Sequence, residues 1–276
     1  MARPFRYQYP GSIHHVTVRG NERRAIFRDD RDRERFVAKL GEQIAQHQVR
    51  LYADCPMPNH YHLVVCTPRG NLSAFMQQLN TSYTVWFNAR HQRCGHLFAG
   101  RYKARLVEGG TYLLGLTRYV HLNPVKVQSV QSLALEQRLG LLSEFAWSSY
   151  RGYAGLCQPE PWVDHEPLAA FAEHGADGQH EAYRDYVQAK VGEDDEPIRE
   201  ALALSSRALG SEAFRREAEA RLREARDRVP DRQRWADISR RRVESGPSEA
   251  VVTAAAPGRR GAEPVCADSH RDSRLG

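Results

Sequence analysis

Between residues 13 and 108 the period of the hydrophobic residues changes in a fixed order, and that order restricts the fold more than any other property of the chain. Ile13 to Arg19 (IHHVTVR) alternates apolar and polar residues, with β-branched side chains, and ends at Gly20-Asn21, which reads as a strand running into a turn. From Asp30 to Gln46, Phe36, Leu40, Ile44 and Ala45 recur at helical spacing between charged residues. Val49 to Cys55 and His60 to Thr67 return to a β period, separated by Pro56-Met57-Pro58-Asn59, whose prolines are expected to end the ladder. Asn71 to Ala89 reads as a second helix, with Leu72, Phe75, Met76, Leu79, Tyr83, Trp86 and Phe87 on one side and Asn71 as its N-cap. Tyr102 to Glu108 supplies a fourth strand. Strand, helix, strand, strand, helix, strand is the split βαβ order of a ferredoxin-like α+β fold, an antiparallel sheet with both helices on one face. One more helix, Thr111 to Asn123, opens after Gly109-Gly110 and is stopped by Pro124.

The remainder is organised differently. Residues 131–178 lack a clear period but hold Trp147, Tyr150, Tyr153 and Trp162, an aromatic-rich extension expected to pack on the domain formed by residues 1–130. Residues 179–242 read as a helical accessory region by composition. Residues 243–276 are rich in Gly, Ala, Ser, Pro and Arg and have almost no large apolar side chains to offset the entropy of ordering, so a disordered tail is expected there. With 41% hydrophobic and 27% charged residues, the chain is neither fibrous nor wholly disordered. No apolar run is long enough to span a bilayer and the N-terminus lacks a signal-peptide pattern, so the expectation is a soluble cytoplasmic protein with no membrane partner. The five cysteines form no C-x-x-C pair, which argues against a zinc ribbon or a disulfide framework.

Charge is unevenly placed. Residues 1–130 contain 19 Lys and Arg against 8 Asp and Glu, whereas the rest contains 21 against 26. A basic half of this kind attracts polyanions, nucleic acid foremost. Two of its segments concentrate the effect. Arg101, Lys103 and Arg105 alternate with Tyr102, Ala104 and Leu106, so three cations share one face of a strand, and Arg19, Asn21, Arg23 and Arg24 form a basic, glycine-containing loop. A phosphate backbone and a charge-blunted sheet edge both fit such a stripe.

Two further constellations carry chemistry. In His60-Tyr61-His62 the imidazoles project to the same face of a strand, half of a divalent-metal site or else polar residues on a solvated face. On the helix carrying LTRYVHLNPVK, Tyr119 and Asn123 are one turn apart, with Gly115 and Tyr112 continuing the stripe. Asn123 offers a hard oxygen to a metal held by the histidines and Tyr119 a nucleophile. Alternatively Tyr119 is a core aromatic and Asn123 a helix-end residue before proline. Arg118 points about 100° away from Tyr119 around the helix, and His121 reads as structural or DNA-facing.

In their order, VTVRGNERRAIF, MPNHYHLVV, LNTSYTVWFNARHQRCGHLFAGRYKA and YLLGLTRYVHLNPVK resemble the single-tyrosine transposases of the HUH endonuclease superfamily. Within it they look most like the transposase-like proteins associated with repetitive extragenic palindromes (REP). The resemblance spans roughly residues 5 to 155. It implies binding of single-stranded DNA beside a hairpin-forming palindrome and cleavage by transesterification. By motif, His60 and His62 would be the paired ligands of Mg²⁺ or Mn²⁺, Tyr119 the nucleophile forming a 5′-phosphotyrosyl link, and Asn123 the occupant of the third-ligand position, where insertion-sequence relatives often have Gln. No ATP or other nucleotide cofactor is needed. Monomeric and dimeric relatives both exist, so a monomer or a dimer is equally compatible with these residues. Two rivals stand beside this reading: a non-catalytic palindrome-binding protein, and a zinc-type metallohydrolase taking a third ligand such as His96.

Overall fold

β1 (Ser12–Arg19) is paired on both sides, with β3 (His60–Thr67) and with β4 (Lys103–Val107), and β3 pairs in turn with β2 (Arg50–Met57), all antiparallel. A two-residue strand, β5 (Ala208–Leu209), adds to β4 in parallel and gives the order β2-β3-β1-β4-β5. These elements are those of a computed structural model that describes residues 8–193 and 196–227. The expected disordered tail at 243–276 and the end of the expected helical region, 228–242, lie outside the described residues.

α1 (Asp30–His47) and α2 (Leu72–Arg90) lie side by side on one face of the sheet. α1 starts where the Asp29 side chain accepts the Asp32 N–H, and Arg90 at the end of α2 pairs with both Asp29 and the fully buried Asp32, so the start of one helix is tied to the end of the other. Phe36, Leu40 and Ile44 from α1 and Phe75, Leu79, Tyr83 and Phe87 from α2 meet Val16, Val18, Tyr61, Leu63 and Val65 from the strands in one core. A fully buried side chain such as Phe36 contributes about 1.5–3 kcal/mol of transfer free energy.

The opposite face carries the other residue of each alternation. The register sets Ile13, His15, Thr17 and Arg19 of β1 beside Cys66, Val64, His62 and His60 of β3, and sets Ile13, His15 and Thr17 beside Val107, Arg105 and Lys103 of β4. α3 (Thr111–His121) lies across the apolar end of this face, where Leu113, Leu116 and Val120 pack with Val64, Cys66 and Val107. Beyond this stripe His15 and His62 are still buried, and exposure rises toward the polar end at Thr17, His60 and Arg19.

Several boundaries differ from the sequence expectation for identifiable reasons. Pro56 does not end β2: the strand continues to Met57, and Pro56 pairs with Tyr61, because β2 is an edge strand and a missing N–H is tolerated there. Asn71 does not cap α2 with its side chain, which donates instead to the His47 carbonyl at the end of α1, while Gln8 accepts the Ser73 N–H. β4 begins at Lys103, so Arg101 and Tyr102 precede it. α3 stops at His121, and Asn123–Val125 forms a separate 3₁₀ turn around Pro124.

After it come α4 (Gln128–Gln131), α5 (Leu135–Glu144), α6 (Tyr150–Tyr153), a 3₁₀ stretch over Glu166–His174, and α7 (Gly175–Gln188). Tyr150, Tyr153 and Tyr183 enter the same core as α1 and α2, and Trp162 lies over Gly41, where an added Cβ would come within 3.1 Å of its ring. α8 (Glu196–Leu204) and α9 (Glu212–Asp227) flank β5, a strand inside the segment read as helical because two residues are too few to show a period. Among the described residues no helix is long and apolar enough to cross a membrane.

Candidate active site on the open sheet face

The histidines sit where the register leads them. His62 is buried on the central part of the face, His60 is half-buried at the strand's beginning, and their rings lie 5.1 Å apart in an edge-on arrangement. Each has its Nδ1 turned into the protein: His60 Nδ1 lies 2.7 Å from Asn59 Oδ1, and His62 Nδ1 lies 2.9 Å from His15 Nε2. Burial lowers the pKa of both, helped at His60 by Arg19 and at His62 by His15 and His60. His15 is lowered to about 3, by burial and then by Arg105. All three rings are therefore neutral at pH 7, the form in which imidazole binds a cation.

Tyr119 reaches this group from α3. Its ring centroid is 6.3 Å from His62 and 6.1 Å from His15, both edge-on. Burial raises the pKa of the phenol, and Arg105 and then Arg199 pull it back. Arg118, its sequence neighbour, is stacked on the Tyr186 ring at 4.1 Å and so is occupied on another side of the helix. The cations acting on Tyr119 come from β4 and α8, a relation that the fold creates and that spacing along α3 does not reveal.

A cavity of about 820 Å³ opens over this end of the face and is lined by His15, His62, Tyr119, Arg101, Lys103 and Arg105. Arg207, just before β5, adds a fourth cation to its wall. Thus His62, the tyrosine and the three-cation stripe, which are separated by up to 57 positions in the chain, line one cavity, and His60 adjoins it through its edge-on contact with His62. The second basic segment adjoins it at the end of β1. There Asn21 N–H donates to the Leu97 carbonyl and Ala99 N–H to the Arg19 carbonyl, so the loop before Arg101 is paired against Arg19–Asn21. Arg19 and Arg23 are exposed, and Arg24 is paired with Glu22 at 2.6 Å.

Asn123 is turned toward its own helix. Its Nδ2 donates to the carbonyls of Tyr119 and Val120, at 2.9 and 3.2 Å, closing the end of α3 and leaving Oδ1 as the atom available to a ligand. His121 is fully enclosed between Tyr183, whose hydroxyl is 2.8 Å from Nδ1, and Ser149, whose Oγ is 2.9 Å from Nε2, and its role is structural. His15, Thr17, Arg199 and Arg207 are the site residues that sequence reasoning missed. His15 and Thr17 share strand parity with Arg19, which was the available signal; Arg199 and Arg207 had none.

The donor set fits a divalent cation as a two-imidazole half-site: both rings are neutral, both have Nδ1 engaged, and the Asn59 carbonyl oxygen requires His60 to carry its proton on Nδ1, leaving Nε2 as a lone-pair donor. Among the described residues no group of three His, Cys, Asp or Glu side chains is placed to hold a metal, so His96 does not join His60 and His62 as a third ligand. Remaining coordination would fall to oxygen, from an amide, a phenolate, water or phosphate.

Residues 8–123, fewer than half of the chain, match the family described as "Transposase IS200 like", and this segment contains the strands β1 to β4, both histidines, Tyr119 and Asn123. The chain is also similar to a solved structure of a REP-associated tyrosine transposase bound to a REP hairpin, at 15% identity and a TM-score of 0.44, over 60% of this chain and 93% of that one. No curated protein matches the chain.

Proposed function

We propose that this protein is a metal-dependent HUH-type single-tyrosine transesterase of the REP-associated kind, which cleaves and rejoins single-stranded DNA beside a hairpin-forming palindrome. The observation that carries the reading is the approach of Tyr119 to His62 on a face lined by Arg101, Lys103 and Arg105. The family match over residues 8–123 supports the same class. A phosphodiester lying along the β4 cations brings a phosphorus atom between the imidazoles and the phenol. Tyr119 Oη attacks it in line, the bond from phosphorus to the 3′ oxygen breaks, the phenolic proton leaves and a 3′-hydroxyl is released, so the DNA remains attached through a 5′-phosphotyrosyl ester. Because the ester retains the energy of the broken linkage, attack by a 3′-hydroxyl reverses the step without ATP. A divalent cation, Mg²⁺ or Mn²⁺, would be held by His60 and His62, with Asn123 as the proposed oxygen ligand, and would polarise the phosphate and stabilise the charge that develops on it. Arg105 favours the phenolate as the proton departs, opposing in part the larger effect of burial on Tyr119. Arg19, Asn21, Arg23 and Arg24 extend the basic surface beyond the cavity and suit the hairpin stem.

The test is incubation of the full chain with end-labelled hairpin DNA from the flanks of its gene, with Mn²⁺ or Mg²⁺ and with chelator, on a denaturing gel beside Tyr119→Phe. A covalent protein–DNA band that needs the ion and disappears in the variant is expected. Tight binding without any covalent species would overturn the enzymatic reading in favour of a palindrome-binding protein. Cleavage that survives in Tyr119→Phe would move the chemistry to a hydrolytic mechanism.

A further inference from the structure

We infer that His15 is a positioning residue for His62: its Nε2 accepts the Nδ1–H of His62, which fixes the tautomer that leaves His62 Nε2 unprotonated and aimed at the cation site. The inference rests on the metal-dependent reading above. The two nitrogens are 2.9 Å apart, and the ring centroids are 5.2 Å apart with their planes only 14° from parallel, the geometry of two imidazoles hydrogen-bonded edge to edge in nearly one plane, so neither ring can swivel without breaking that bond. His15 is buried on the same face as His62, paired in the ladder with Val64 on one side and Arg105 on the other.

Two neutral imidazoles at this distance share one proton, and its location decides what His62 offers. If His15 were the donor, His62 would present an N–H to the cavity and would be unable to bind a cation through Nε2. If His62 is the donor, Nε2 carries the lone pair. His60 shows the same disposition independently, because Asn59 Oδ1 can only accept from its Nδ1. A cation on His62 Nε2 also makes the Nδ1–H a stronger donor, so ion binding and the His15 contact reinforce one another. Thr17 Oγ1, at 3.5 Å from the same Nδ1, is too distant to replace His15.

The experiment uses the full chain labelled with ¹⁵N in its histidine rings. Long-range proton–nitrogen correlation spectra, with His62 assigned by the loss of its signals in His62→Gln, are expected to show a protonated Nδ1 and an unprotonated Nε2. In calorimetric titration with Mn²⁺, His15→Leu is expected to weaken binding by about 10–100-fold, and His15→Gln, whose Oε1 keeps an acceptor, to recover most of the loss. A proton found on Nε2 of His62 in the unmodified protein would overturn the inference, as would Mn²⁺ affinity unchanged in a folded His15→Leu or equally lost in His15→Gln. If His15→Leu does not fold, the tautomer and the His15→Gln titration decide alone. Loss of the covalent DNA band with normal Mn²⁺ binding and the expected tautomer would overturn the role of Tyr119 and leave that of His15 standing. A covalent band with Mn²⁺ affinity indifferent to His15 would do the reverse.

Discussion

Asp54 lies in β2 under the segment that holds α3, and its replacement by Asn is expected to stabilise the protein at neutral pH. The carboxyl is buried, with Ser149 Oγ as its polar neighbour, and burial is the main cause that raises its pKa from 3.8 to about 6; Glu160 adds repulsion and Ser149 opposes both. A folded-state pKa above the unfolded one means that the native protein binds more protons between those values, so stability falls as pH rises from about 4 to about 6, and the penalty is complete above that window. At about 1.4 kcal/mol per pH unit, the displacement corresponds to a penalty of about 3 kcal/mol. Asp54→Asn keeps an acceptor toward Ser149 but carries no charge, so it escapes the penalty. Urea unfolding of both full-length proteins at pH 4 and at pH 7.5 tests this. The variant is expected to be more stable by up to about 3 kcal/mol at pH 7.5 and nearly equal to the parent at pH 4. Buried histidines titrate over the same range, and comparison at each pH cancels them because both proteins contain them. A difference that is the same at pH 4 and pH 7.5, or an Asn variant less stable at pH 7.5, would refute the reasoning.

Three other outcomes are expected. Replacing Arg101 and Lys103 by Gln, each a cation on the cavity wall, should weaken binding of single-stranded DNA about equally for all sequences and flatten the log–log salt dependence by about 0.7 per residue, measured by fluorescence anisotropy across a salt series. Gly20→Ala places a Cβ against the Arg24 carbonyl oxygen and within 2.9 Å of Ile26 Cγ2, so the loop bearing Asn21 and Arg23 must open. Thermal melting should show a loss on the order of 1–3 kcal/mol, and hairpin DNA should bind more weakly. His121→Leu leaves the Ser149 hydroxyl without its imidazole partner and removes one partner of Tyr183. Chemical denaturation should register a loss of about 1–3 kcal/mol, together with a lower yield of the covalent DNA species, because α3 carries Tyr119.

The sheet was legible because its strands alternate cleanly. IHHVTVR and HYHLVV have one apolar and one polar face, so parity alone puts His60 with His62 and both with the chemistry-bearing side, and the two helices announce themselves through Phe36, Leu40 and Ile44 and through Phe75, Leu79 and Tyr83. What parity cannot supply is which strand lies beside which. His15 sits in the same run as the apolar alternation, and only the β1–β3 register, with His15 opposite Val64 and Thr17 opposite His62, brings its ring against His62. Pro56 was misjudged for a related reason: its tolerance depends on β2 being an edge, a property of the whole sheet. Arg207 and Arg199 approach the site because β5 and α8 fold back onto β4 and α3, and neither segment carries a periodic signal that states where it will dock.

The docking of these later segments bears directly on the proposed nucleophile. Tyr119 is useful only if α3 holds it at a fixed depth above His62, yet α3 has just 11 residues and touches the sheet through one apolar stripe. Four residues outside the segment 8–123 fasten it. Gly115 accepts Ile198 of α8 so closely that a Cβ would lie 2.6 Å from Ile198 Cδ1, Arg118 is stacked on Tyr186 of α7, and His121 is clasped by Tyr183 of α7 and by Ser149. They attach at positions 115, 118 and 121, three residues apart, so they follow one side of the helix, while Leu113, Leu116 and Val120 face the sheet. A short helix clamped along one side and packed along another loses its freedom to roll, and rolling is the motion that would carry the phenol away from the imidazoles. The segment that matches the transposase family therefore contains the groups proposed to react, while residues 149–198 contain the contacts that hold Tyr119 in register with the imidazoles.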